Sequence, residues 1–280
     1  MSKKTKKKVR NIICTILSFF LALFIFADVF CVFTVSYAVN ENVWIDQMNS
    51  SNYYSDKADE IKNRLVSLGN ASGLPPEFFD GVVDPVQISK DTQAYMDSYF
   101  EGKNEVVYSS GFKQNFSSEL ERYIADNKVK TDDKNIDYLV DEAEHVYLAS
   151  LKIPLLYRLS DYISQFRRIL PFAIAGLSAA SAVIVIVLFL CNKWKHRSVK
   201  YLYFAGAGTC LSLLAVSAVL SFTGGLKSIV LESRALYGMA VSFGTAVTIA
   251  FWALTAFFFI LSIVLYLIYG NMVRKVTSDD

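Results

Sequence analysis

The chain has 280 residues, 53% of them hydrophobic and only 19% charged, with a formal net charge of +2; soluble domains carry about a quarter charged residues. The charge is segregated: residues 39–168 hold 22 of the 26 acids and 14 of the 28 bases. One ordinary water-soluble segment therefore sits among stretches that only hydrocarbon tolerates, which excludes a purely soluble enzyme, a fibrous protein and a disordered chain.

A basic tail, residues 1–11, carries Lys3, Lys4, Lys6, Lys7, Lys8 and Arg10. The apolar run 12–38 follows. A cleavable signal peptide has an apolar core of about 7–15 residues, whereas this run is longer and contains Asp28. Despite Ser36 and Ala38, which could form a cleavage site, it reads as an uncleaved signal anchor and a first transmembrane helix. Three more runs, 172–191, 201–222 and 247–269, reach the ~20 residues that cross a bilayer core. Each must be helical, because lipid offers no partner to an open backbone amide. Pro171 is placed at the start of the second span, where a missing amide hydrogen costs little.

The cations orient the spans. Besides the N-terminal six, Lys193, Lys195, Arg197 and Lys200 fill the loop 192–200, and Arg274 and Lys275 lie in the tail 270–280. Both termini are expected in the cytoplasm, making this a multi-pass cell-membrane protein with residues 39–168 extracytoplasmic. Lys227, Arg234 and Glu232 lie in the outer loop 223–246, where Leu226 to Tyr237 is expected to form an interfacial helix.

Within residues 39–168 the apolar positions keep a helical period. Ala58, Ile61, Leu65 and Leu68 make one stripe, closed by Gly69 and Asn70. Asp84 before Pro85 is an N-cap followed by proline at the first helical position, and Ile88, Thr92, Tyr95 and Tyr99 follow on one face. Phe112, Phe116, Leu120 and Ile124 form a third stripe. Ile136, Leu139, Val140, Ala143, Val146 and Tyr147 form a fourth, and Leu156, Leu159, Ile163, Phe166 and Leu170 run towards the second span. The predicted fold is all-α: four transmembrane helices and a bundle of about five helices inserted between the first and second, rigidly continuous with them. All four cysteines, Cys14, Cys31, Cys191 and Cys210, fall in spans, so the insert is no disulfide scaffold.

With 22 acids against 14 bases the insert is net −8, which argues against nucleic acid or anionic lipid as a partner and fits a cationic ligand, a metal ion or solubility. Asp141, Glu142, Glu144 and His145 are its densest group of potential metal ligands. Asp141 and His145 share a helix face, but a stable site needs three or four ligands, and a solvated polar face accounts for them; no metal is assigned. Asp28 is the candidate functional residue, since an acid within a span is costly and by default functional. It lies ~24 Å along the helix from Ile12, where it could reach the headgroups or pair with Arg167 or Arg168. Small residues four apart (Ala175 and Ala179, Gly176 and Ala180, Gly208 and Ser212) signal close helix packing, with Gly238, Gly244 and Ala246 as further candidates.

No phosphate-cradling glycine loop, nucleophile elbow or zinc signature is present. Neither an enzyme nor a cofactor is expected. The order of basic tail, span, exported insert and three close spans resembles the FtsX/MacB group of permease-like subunits, with Arg197, Val199, Leu202, Gly206 and Ala207 echoing the segment that enters the third span there. That resemblance implies force transmission for a partner ATPase through the loop containing Lys193, Lys195, Arg197 and Lys200. The chain departs from the group at Ser198, in the shortness of that loop and in an insert that reads all-helical. It is also similar to bacterial membrane proteins with a helical exported domain between their first two spans. The primary expectation is a non-enzymatic membrane protein whose acidic domain binds a ligand or protein partner; the alternative is the permease-like subunit. Cytoplasmic tails of about ten residues hold no output domain, so a partner in the membrane or outside the cell is expected.

Overall fold

The computed structural model describes residues 3–102, 106, 108, 111–192, 194–223 and 230–278. Among them every regular element is helical: α1 (Lys3–Phe33), a π turn (Thr34–Ala38), α2 (Glu41–Ser50), α3 (Tyr53–Ala71), a 3-10 turn (Pro76–Asp80), α4 (Pro85–Phe100), α5 (Gly111–Asn127), α6 (Asp133–Leu151), α7 (Pro154–Cys191), α8 (Lys195–Phe222) and α9 (Arg234–Ser278). Four stretches are long and apolar enough to cross a membrane: Lys8–Ala38, Tyr162–Cys191, Lys195–Phe222 and Arg234–Lys275. The chain divides into two compact units, a span unit (residues 1–38, 166–228 and 244–280) and a polar unit (residues 39–165 and 229–243).

Helix ends and hydropathy ends differ. α7 starts at Pro154, so Pro171 lies inside the helix and not at its start; the polar turns of Pro154–Leu170 continue the same backbone ladder, and the missing amide of Pro171 is carried within it. Likewise α9 begins at Arg234, 13 residues before Val247. The interfacial helix expected over Leu226–Tyr237 is not seen: 226–229 lie outside the described residues, 230–233 carry no helix, and 234–237 are the first turn of α9.

In the span unit α1 lies along α8. Cys14 and Leu21 pack with Leu188, Tyr201 and Ala205. The Ser18 hydroxyl donates to the Tyr201 carbonyl at 2.7 Å, and Thr209 Oγ1 donates to the Ala22 carbonyl at 3.2 Å. Gly208 permits this approach, since a Cβ there would stand 3.1 Å from that of Ala22. Across α8 and α9, Cys210 and Leu213 meet Phe251 and Phe258, and the Ser217 and Thr255 hydroxyls are 3.0 Å apart. Dispersion and short polar bonds are what hold helices together where lipid cancels the hydrophobic drive. The small stripe of α7 behaves differently: Gly176 has no atom within 4 Å of a built Cβ, and Ala175 and Ala179 are exposed. Four-residue spacing permits close packing but does not supply a neighbour.

The polar unit is built around one core in which Ile61 and Leu65 of α3, Ile88 of α4, Phe112, Phe116 and Leu120 of α5, and Val140, Ala143 and Tyr147 of α6 are buried together. The four predicted stripes thus converge. Asp84 caps α4, its carboxylate accepting the Val86 amide at 2.9 Å. α2, which sequence periodicity does not pick out, is short and opened by Asn40, whose side chain accepts the Asn42 amide at 3.2 Å. The core also encloses an acid. Asp91 is 1% exposed and receives the Tyr147 hydroxyl at 2.7 Å and Gln87 Nε2 at 2.8 Å. Burial, then the bond to Asp91, pushes the Tyr147 phenol far above its ordinary range, so this hydroxyl remains a donor. The Tyr147 ring stacks on Phe112, with centroids 4.1 Å apart.

At Gly69 a Cβ would overlap the ring of Phe79, which is itself buried and unable to swing away. Gly69→Ala should therefore cost about 1–3 kcal/mol by overpacking, seen as a lower Tm in detergent. Gly81→Ala, with nothing within 4 Å, should leave Tm unchanged.

Candidate functional site

Asp28 sits on α1 six residues, nearly two turns, before the π turn at Thr34–Ala38. Such one-residue insertions into an α-helical ladder are frequent at functional sites. Its partner is on α7, but further along than expected: Ser178 donates its hydroxyl to Asp28 Oδ2 at 2.7 Å. Arg167 and Arg168 are ten or more residues earlier, about 15 Å along the helix, so of the two expected possibilities, headgroups or these arginines, the second is replaced by a neutral donor. The other carboxylate oxygen, Oδ1, is buried without a hydrogen-bond partner. Beside it a groove of about 480 Å³ opens between α1 and α9, with Phe33, Ser36 and Tyr37 on one wall and Ala253 and Leu254 on the other. The Phe33 and Tyr37 rings are stacked, with centroids 4.5 Å apart.

The basic loop condenses into a helix start. α7 ends at Cys191 and α8 begins at Lys195; Lys193 lies outside the described residues. Asn192 Nδ2 donates to the Leu188 carbonyl at 2.9 Å and the Ser198 hydroxyl to the same oxygen at 2.9 Å, which ties the two helices together. Lys195 and Lys200 are exposed and Arg197 is half-buried, with the Lys200 ammonium 5.4 Å from the Phe204 ring centroid. The residues that carry the permease resemblance, from Arg197 to Ala207, all lie on α8, whose Val199 and Gly206 are buried.

The acidic group on α6 is held by a cation of the chain itself. Lys113 of α5 pairs with Asp141 and Glu144, each at 2.8 Å, and these carboxylates, ahead of any other cause, hold its ammonium above the ordinary range. Among the described residues no three His, Cys, Asp or Glu side chains converge.

The polar unit contains a cavity that the sequence does not announce. About 600 Å³ opens where Lys57, Glu60 and Arg64 of α3 face Ser150 and Lys152 at the end of α6 and the turn entering α9. The helical period brings 57, 60 and 64 to one face, whereas Lys152 and the 231–236 segment arrive only through tertiary folding. Glu60 anchors one side. Its carboxylate accepts the Ser233 hydroxyl at 2.8 Å and the Ala235 amide at 3.1 Å, while Ser233 Oγ accepts the Leu236 amide at 3.2 Å. Together they cap α9, with negative charge at its positive end. Lys57, only 4% exposed, pairs with Glu60 at 3.2 Å. Arg64 and Lys152 are exposed: Arg64 Nη1 reaches the Ser150 hydroxyl at 3.5 Å, and among the described residues neither cation forms an ion pair, with Glu232 lining the same cavity.

Burial pushes the Glu60 carboxyl up, but the Ala235 amide, the Ser233 hydroxyl and the Lys57 ammonium outweigh it and leave it below the ordinary 4.5. A group with a depressed folded value contributes stability above its unfolded pKa and loses it as pH falls through the folded one. Tm at pH 6 should therefore exceed Tm below pH 4, and Glu60→Gln should flatten that difference. No family matches this chain, and comparison with curated proteins and with solved structures likewise yields no match.

Proposed function

We propose that this is a non-enzymatic multi-pass protein of the cell membrane, with both termini in the cytoplasm and the polar unit outside, where it binds a ligand or the acidic part of a protein partner. The observation that carries this reading is the cavity at Arg64 and Lys152. Its volume is within the ~300–1,000 Å³ of small-molecule sites, and Leu231 and Leu236 give it an apolar side. The wall carries three cations, Lys57, Arg64 and Lys152, against two acids, Glu60 and Glu232, and this local excess favours an anionic group with an apolar body, which the exposed Arg64 and Lys152 would meet by charge-assisted hydrogen bonds. Binding rather than chemistry is supported by the hydroxyls at the wall: Ser150 Oγ donates to the Val146 carbonyl and Ser233 Oγ to Glu60, so neither is poised as a nucleophile. The outward orientation rests on the excess of lysine and arginine at both termini and between α7 and α8.

Two measurements test this. In a background with the four native cysteines replaced by serine, Asp137→Cys should react with a membrane-impermeant maleimide on intact cells and Lys195→Cys only after lysis; the reverse pattern rejects the topology. Hexanoate, a carboxylate with a short apolar body, should raise the Tm of the purified protein saturably, and Arg64→Glu with Lys152→Glu should abolish the rise. An equal rise in wild type and double variant rejects the cavity as the binding site.

A further inference from the structure

We propose that the groove beside Asp28 is a second ligand site, which takes a lipophilic primary or secondary ammonium ion. Three features select that chemistry. The Asp28 carboxylate spends one oxygen on Ser178 and keeps the other buried and unmatched, so an N–H donor bearing positive charge completes it. A charge-assisted bond of that kind is roughly twice as strong as a neutral one, and stronger still away from water. The adjoining aromatic plates of Phe33 and Tyr37 offer negative ring faces to a cation. The rest of the wall, including Ala253 and Leu254, is apolar and suits a hydrocarbon body.

Other occupants fit less well. An anion would be repelled by Asp28. A metal ion wants several oxygen ligands, and the groove offers one carboxylate. A proton alone would satisfy Oδ1 but would leave about 480 Å³ beside it unexplained. This inference is independent of the exported cavity and of the orientation of the chain, since every residue it uses belongs to the span unit.

The test uses the full-length protein in nanodiscs of phosphatidylcholine, titrated with octylammonium, with octanol and octanoate as neutral and anionic counterparts of equal tail length. Octylammonium should bind saturably and the other two should only partition. Asp28→Asn, which keeps shape and loses charge, should weaken octylammonium at least about tenfold. Ala253→Trp, which fills the groove and leaves Asp28 intact, should do the same and covers the case in which the Asp28 variant does not fold. Equal binding of octylammonium to wild type and Ala253→Trp, or of octanol and octylammonium to wild type, overturns the proposal. Repeating the titration with phosphatidylethanolamine in the discs separates two sources of the amine: competition identifies a lipid headgroup as the occupant, and no competition identifies a free amine.

Discussion

Hydrocarbon cannot accept a backbone hydrogen bond, and that constraint shapes everything else in this protein. It forces each apolar stretch to close its own ladder as a helix. It also removes the hydrophobic drive between those helices, so their association falls to close packing and a few polar contacts. The contacts in the span unit are of that kind: Ser18 on the Tyr201 carbonyl, Thr209 on the Ala22 carbonyl, Ser217 against Thr255. Within such surroundings an acid is conspicuous. Asp28 is held by a single neutral hydroxyl on one oxygen, and its other oxygen is buried without a partner.

The polar unit follows the opposite rule. Water drives its core together, and burying the stripes of α3, α4, α5 and α6 supplies about 25 cal/mol for each Å² of apolar surface removed. Two of its carboxylates, those of Asp91 and Glu60, are matched in place, whereas the Tyr53 and Thr92 hydroxyls are buried without a partner. Asp91 is bonded by Tyr147 and Gln87, and Glu60 is shared by Lys57, Ser233 and the Ala235 amide of α9. A buried charge is tolerated only when paired in this way. Arg64 and Lys152 are different, being exposed to water and not held in an ion pair among the described residues.

The two proposed sites are complementary in charge. The cavity of the polar unit presents cations within a unit rich in acids, and the span groove presents an acid where hydrocarbon admits almost none.

Much of the architecture was already legible in the residues. Apolar length alone yields four helices able to cross a membrane, and a 3.6-residue period yields α3 to α6, because both are local consequences of backbone hydrogen bonding and side-chain direction. The Asp84 cap is local as well. Helix ends were not legible: hydropathy marks where hydrocarbon is tolerated, whereas a helix continues as long as its ladder does, which is why α7 includes Pro171 and α9 reaches back to Arg234. Nor could spacing alone tell that Gly208 would meet Ala22 while Gly176 meets nothing, since a partner is a property of the assembled helices. The Lys113 bridge to Asp141 and Glu144, the Ser178 bond to Asp28 and the meeting of Arg64 with Lys152 were decided by the tertiary structure, because each joins residues 28 to 150 positions apart and no local periodicity encodes such distances.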